Sequence, residues 1–241
     1  MDKRKLETEK LIEKLRSDPV RNSSIIGFIK NNSISLILEE GNSVLVKGKS
    51  DHDWIYISSK DKNELIKLML KLNSKEIYFA SLEDWMVLII TAERNVEWKL
   101  TTCRYFLPDS FVVPENRIEA SNLSENDADY VWENSNYKQF LDVEYLKQRI
   151  GISLSAGIFV ENKLAAWAIT HDDGAIGALH VLDEFRKKGY ASEVVINLVH
   201  KIRNIGMIPI AQIEEKNKPA IRLFEKLGFV KDRNVTWLKL L

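Results

Sequence analysis

Apolar and polar positions along this chain follow two periods, and the switches between them mark its elements. Ala191, Val194, Val195, Leu198, Ile202 and Ile205 recur every three or four residues, which places them on one helical face, and Gly206 is set to stop that helix. Residues 176–182 are a short apolar run that reads as a strand, and a basic turn, Arg186-Lys187-Lys188-Gly189-Tyr190-Ala191, joins the two. A strand follows at residues 208–213. Asn217 can then cap a helix with Ala220, Leu223, Phe224 and Leu227 on one face, and a final strand runs through Trp237. Upstream, residues 155–160 and 163–170 flank Glu161-Asn162 as a hairpin.

The first half reads in the same order. A charged helix over residues 3–17 ends before Pro19, and residues 34–38 and 44–46 form a hairpin around Gly41-Asn42. Strand 54–57, helix 65–72 and strand 76–80 come next. Ser81 is placed to cap a helix through Trp85, Met86 and Ile89, and the alternation Val96, Trp98, Leu100, Thr102 reads as a half-buried strand. The order strand-strand-strand-helix-strand-helix-strand thus occurs twice, which suggests that the first half is a degenerate copy of the second. The break falls near residues 107–116, between Pro108 and Pro114, dividing the chain into domains 1–112 and 113–241. Residues 118–123 should open the second domain as a strand, followed by a helix capped by Ser124 and another over residues 142–150.

Composition narrows the class. The chain has 241 residues, 45% hydrophobic and 29% charged, as expected of a folded globular protein. Lysine plus arginine equals aspartate plus glutamate at 35 each, which argues against a general nucleic-acid binder. Cys103 is the single cysteine, so an intramolecular disulfide and a cysteine-type zinc site are excluded. The charged start is unlike a signal peptide, and no run approaches a membrane span. A cytoplasmic protein with neither a nucleic-acid nor a membrane partner is expected, as monomer or homodimer.

Strand, basic turn and helix form a physical recipe for holding phosphate. The first turn of a helix leaves N–H groups unpaired at the positive end of the dipole, and Gly189 lets the backbone approach an anion closely. A solvated basic turn would look the same in isolation. The run Val181-Leu182-Asp183-Glu184-Phe185-Arg186-Lys187-Lys188-Gly189-Tyr190-Ala191, however, resembles the acyl-CoA loop of the GNAT superfamily of N-acyltransferases, with Asp183 replacing that family's proline. Phe224-Glu225-Lys226-Leu227-Gly228-Phe229 is similar to the family's second block. The strand Asn162-Lys163-Leu164-Ala165-Ala166-Trp167-Ala168-Ile169-Thr170 resembles the glycine N-acyltransferase branch, which also carries a divergent N-terminal half.

The resemblance implies an α/β (α+β) GNAT fold: a mixed, mostly antiparallel central sheet flanked by helices, with a degenerate GNAT-like N-terminal domain. It implies transfer of an acetyl or other short acyl group from acyl-CoA to the primary amine of a small molecule or amino acid, without a metal. The pantetheine arm would meet the backbone of Leu179, His180 and Val181. Arg186, Lys187, Lys188, Gly189, Tyr190, Ala191 and Ser192 would surround the phosphates, and Asn217 and Phe224 would meet the CoA arm from the next helix. The helices around Trp132, Asn134, Tyr137 and Phe140 would line the acceptor groove.

The proton-transfer groups are less evident. Relatives place a base at positions matching Ala175 and Gly177, neither of which accepts a proton. Strand alternation puts His180 on the opposite face from these two unless a bulge re-aims it. Glu214, at the end of the 208–213 strand, is the other candidate base, with Glu215 beside it. His171, Asp172 and Asp173 cluster in a loop that could hold a metal, but two adjacent aspartates in a turn read first as turn formers. Phe224 stands where many relatives have a tyrosine that protonates the thiolate. These absences keep open a second reading, a catalytically weakened CoA-binding sensor or partner-binding module.

Overall fold

The computed structural model describes residues 3–135, Lys138 and residues 142–241. Two compact units emerge. One comprises residues 1–104 with 213–215 and 231–241; the other comprises residues 105–212 with 216–230.

In the first unit, helices α1 (Lys3–Leu15) and α2 (Ser23–Asn31) precede strands β1 (Ser33–Glu40), β2 (Ser43–Lys49) and β3 (Asp53–Ser58). Helix α3 (Lys62–Lys71), strand β4 (Tyr78–Leu82), helix α4 (Asp84–Ile90) and strand β5 (Val96–Phe106) follow. Side chains of successive strand residues point to opposite faces. Accordingly Val44, Val46, Trp54 and Tyr56 pack with α1 and α2, whereas Leu45, Ile55 and Ile57 pack with Leu65, Leu68 and Met86 of α3 and α4. Asp61 caps α3 by accepting hydrogen bonds from the backbone N–H groups of Asn63 and Glu64 at 2.7 and 3.0 Å.

The carboxyl-terminal strand β10 (Val230–Leu240) lies between β4 and β5, so the strand order here is β1-β2-β3-β4-β10-β5. It runs antiparallel to β4, pairing Thr236 with Leu82 and Leu238 with Phe79. Against β5 it makes side-chain contacts, among them Arg104 with Asp232 at 2.6 Å and Thr101 with Thr236 at 2.9 Å. The last strand therefore groups with the first unit, although the linear order of the chain puts it in the second domain.

The second unit is built from α5 (Ala128–Glu133), α6 (Val143–Ile152), β6 (Ser155–Val160), β7 (Lys163–Thr170), β8 (Ile176–Val181), α7 (Tyr190–Asn204), β9 (Ile210–Ile213) and α8 (Lys218–Lys226). Its strand order is β9-β8-β7-β6. Strands β6, β7 and β8 pair antiparallel, and β8 meets β9 in parallel. Leu123, Val131, Leu146 and Ile150 cover one sheet face around Trp167 and Ile169. Both halves of the chain thus repeat one order of elements, two helices followed by β-β-β-α-β-α-β. Within each unit the sheet is mixed, mostly antiparallel and flanked by helices.

Two local expectations need correction, and helix α2 had no counterpart among them. Ser81 does not cap α4; it lies inside β4 with φ of +54°, and Glu83 is the residue before the helix. That left-handed kink lets Leu82 rejoin Phe79 on the α3–α4 face. Residues 118–123 form no strand beyond a single bridge, Ser121 with Gly157. Their backbone is held instead by α7 side chains: Glu193 accepts from Arg117 N–H at 2.9 Å, and Asn197 donates to the Ile118 carbonyl at 3.1 Å. Helix α2 shows no polar face in the sequence because it is buried along its length, from Ser23 to Ile29.

Candidate functional site

Strand β8 carries the irregularity on which the site is built. Across it, β7 pairs Trp167 with His180 and then Ile169 with Gly177, so β8 holds one residue more than β7 over that interval. The extra residue is Ala178, whose φ of +46° is left-handed. Trp167 and Ile169 share a face, so the bulge turns His180 onto the same face as Gly177. Its ring stacks on Trp167 with centroids 4.9 Å apart, and Trp167 in turn meets Tyr130 edge-on at 6.1 Å. Burial, helped by the positive charge of Arg186 and opposed by Asp183, lowers the His180 pKa below its ordinary value.

The opposite edge of β8 pairs with β9 only through Ile176 and Ala211. No second pair continues this ladder among the described residues, and residues 178–181 beyond it are half-buried. At the end of this edge the chain enters α7 through a turn with two left-handed residues, Lys187 at φ +63° and Gly189 at φ +86°. A side chain built on Gly189 would have no atom within 4 Å, so the turn faces open space. Arg186 is tied to the strand end, its Nε donating to the Val181 carbonyl at 3.3 Å, and it pairs with Asp183 at 2.6 Å. The Lys188 ammonium lies over Phe185, 5.1 Å from its centroid. Leu179, His180, Val181, Lys187, Tyr190, Ala191 and Ser192 thus lie along one path from strand edge to helix start.

Asn217 caps α8 by accepting the Ala220 N–H at 3.2 Å, and Pro219 occupies its first turn. Phe224 is buried, edge-on to Phe229 at 4.9 Å. Glu214, beyond the end of β9, groups with the first unit. Trp132 lies under the Lys138 ammonium, 4.9 Å from the ring centroid, and Asn134 donates to the Tyr130 carbonyl at 2.9 Å. Tyr137 and Phe140 lie outside the described residues.

Two groups had little signal in the sequence. His171, directly after β7, turns its ring back over Gly177 of β8: a carbon added there would clash with His171 Nε2 and Cδ2 and lie 3.0 Å from Cε1. Tyr145 of α6 reaches the same ring, its hydroxyl 3.4 Å from His171 Nδ1. One turn further along α6, the Arg149 guanidinium is 5.9 Å from the Tyr145 ring centroid, buried, and its three nitrogens have no hydrogen-bond partner among the described residues. The spacing of Tyr145 and Arg149 along a helix was a readable hint; their burial was not. Asp172 and Asp173 are also buried, and Asp173 braces the turn through Ala175 N–H at 3.1 Å and Gln212 Nε2 at 2.6 Å. Among the described residues no group of three or more histidine, cysteine, aspartate or glutamate side chains could hold a metal ion, and no helix is long and apolar enough to cross a membrane.

The first unit holds an open groove of about 510 Å³ along α1, lined by Leu6, Ile12, Arg16 and Lys30, and one smaller hollow. Between Ser58 on β3 and Ser81 on β4 it holds a cavity of about 20 Å³, bordered by Arg21, Arg104 and Arg233. That is space for one water.

Comparison with known proteins agrees with this architecture. The FR47-like protein family model matches residues 155–238. A solved Drosophila protein aligns over 98% of this chain and 96% of its own, at 18% identity and a TM-score of 0.78. A GCN5-related N-acetyltransferase from Kribbella flavida aligns over 92% and 95%, at 12% identity and a TM-score of 0.58. The chain has the GNAT fold. A GCN5-related N-acetyltransferase-like protein from Streptococcus suis shares this GNAT fold over 95% of this chain and 99% of its own, at 14% identity and a TM-score of 0.52. No curated protein matches by sequence.

Proposed function

We propose that the second unit transfers an acetyl or other short acyl group from acyl-CoA to the primary amine of a small molecule or amino acid. The observation that carries this reading is the left-handed turn at Lys187 and Gly189, open above Gly189, at the end of a β8 whose ladder with β9 stops at Ile176. The edge of β8 beyond Ile176 suits the amide-bearing pantetheine arm, which can pair with the backbone of Leu179, His180 and Val181 like an added strand. The diphosphate would lie on the N–H groups from Lys187 to Ser192 at the positive end of α7, where the space over Gly189 leaves room for it. Asn217 and Phe224 would border the arm on the α8 side.

A backbone N–H on β8 would polarise the thioester carbonyl, and catalysis would come mainly from position and fixed dipoles. Arg149 supports an acceptor that carries a carboxylate. A buried guanidinium without a hydrogen-bond partner costs several kcal/mol, and a carboxylate would offset that cost through paired charge-assisted bonds. The match of the 162–170 strand to the glycine N-acyltransferase branch points the same way. The repeated element order supports a degenerate GNAT-like first half.

One observation favours a CoA-binding sensor instead. Phe224 has no proton to give and is buried against Phe229, so no acid sits where relatives protonate the thiolate. The two readings separate in one experiment: calorimetric titration with acetyl-CoA, then thiol release against a panel of amines and amino acids. Binding with turnover supports the enzyme, and binding without turnover supports the sensor. Gly189→Asp is expected to lose acetyl-CoA binding by ten-fold or more, while Gly189→Asn, which tolerates the same left-handed backbone without the charge, keeps most of it. Equal affinities in the two variants would put the phosphates elsewhere.

A further inference from the structure

We propose that His171 takes the proton from the acceptor amine, and that position 177 is glycine because the His171 imidazole fills the space above it. This inference rests on the acyl-transfer reading. It starts from a mutual fit between residues on two strands. His171 directly follows β7, and its backbone N–H donates to the Ala175 carbonyl at 2.9 Å, closing the turn that folds its ring back onto β8. Any side chain at Gly177 would overlap the ring at Nε2 and Cδ2. A strand position that can carry no side chain of its own thus carries an imidazole supplied from next door.

The surroundings make this imidazole suited to a base. The ring is partly exposed. Tyr145 lies 3.4 Å from Nδ1, and a proton on Nδ1 directed at the phenol oxygen leaves the lone pair on Nε2, the nitrogen over β8. The ring lies on the face of β8 that also carries His180, in the segment leading to residues 178–181. His180 is less suited, since its ring is stacked flat on Trp167.

The proton balance closes without a further reactant. The His171 lone pair takes one proton from the acceptor ammonium, and the freed nitrogen pair attacks the thioester carbonyl carbon. The C–S bond then breaks with its electrons on sulfur, and the second nitrogen proton passes to that thiolate, giving amide and CoA thiol. The proton on His171 leaves to solvent.

The test measures kcat and KM for wild type, His171→Gln, His171→Ala and Tyr145→Phe, with acetyl-CoA and two acceptor sets: aliphatic amines, and anilines or hydrazines already neutral at neutral pH. For aliphatic amines His171→Gln is expected to lose about 10²-fold in kcat, with unchanged calorimetric affinity for acetyl-CoA. With the neutral acceptors the loss should shrink to a few-fold, and added imidazole should restore part of the rate to His171→Ala. Tyr145→Phe should give a smaller loss, again confined to the aliphatic set. Gly177→Ala should impair wild type but be harmless in the His171→Ala background. An equal loss on both acceptor sets, or no loss, would overturn the proposal. Wild type that binds acetyl-CoA but acylates nothing would overturn it too, while leaving CoA binding standing; wild type that binds no acetyl-CoA would bring down the acyl-transfer reading itself.

Discussion

His180 lies flat on Trp167, half withdrawn from water, and that placement sets its chemistry. Its pKa is lowered by burial first and by Arg186 second. The unfolded chain, with histidine at its ordinary 6.5, therefore binds the proton more readily than the folded one. The stabilising contribution is fully present above that value and is lost as pH falls below it toward the folded-state pKa. Thermal melts between pH 7.5 and 5.5 should show a falling midpoint for wild type and a smaller fall for His180→Gln; identical slopes would assign the pH dependence to other groups. The residue itself was readable in the sequence. Its face was not, because one residue of bulge at Ala178 inverts every side chain after it. His171 shows the same limit, since only the folded turn puts its ring over Gly177.

Most elements were legible from their period. The helix ending near residue 204, the hairpin around Glu161-Asn162 and the strands of the first unit lie within a few residues of their expected places. The misses share a cause, in that tertiary partners replaced a local signal. Helix α2 hides its period because neighbours surround it, and residues 118–123 divide their backbone bonds between α7 side chains and a single bridge to β6 instead of forming a strand. Capping was readable where the side chain acts locally. Asp142 accepts the Tyr145 N–H at 2.7 Å and so fixes the first turn of α6, the turn that carries Tyr145. Asp142→Ala is expected to cost about 1 kcal/mol and lower the melting midpoint by about 2–4 °C. Because Tyr145 moves with that turn, acyl transfer should fall as well; an unchanged melt would show that the cap is not formed in solution.

Across the whole chain, the repeated order of elements conceals a discontinuity, for the first unit is completed by the last strand. Strand β10 brings Val235, Leu238 and Leu240 into the first unit, and Arg104 pairs with Asp232 across it. Burial raises the Asp232 pKa, but Arg233 and Arg104 outweigh it and hold the carboxyl below its ordinary range. A fragment of residues 1–112 would lack β10 and leave β4 and β5 with unpaired edges. It is expected to melt without a cooperative transition by circular dichroism and to aggregate, whereas full-length protein melts cooperatively. A fragment that unfolds cooperatively on its own would overturn that dependence.

The sequence by itself determined most periods, the Asn217 cap and the glycine turn, because each depends on residues within a few positions of one another along the chain. It also carried the two motif blocks, because each is a contiguous run of residues. Which strand completes which unit, which face His180 takes and which histidine covers Gly177 were decided by tertiary structure alone. Each of these turns on a pairing between distant segments, and a shift of one residue in such a pairing leaves every local pattern intact while reversing what meets in space.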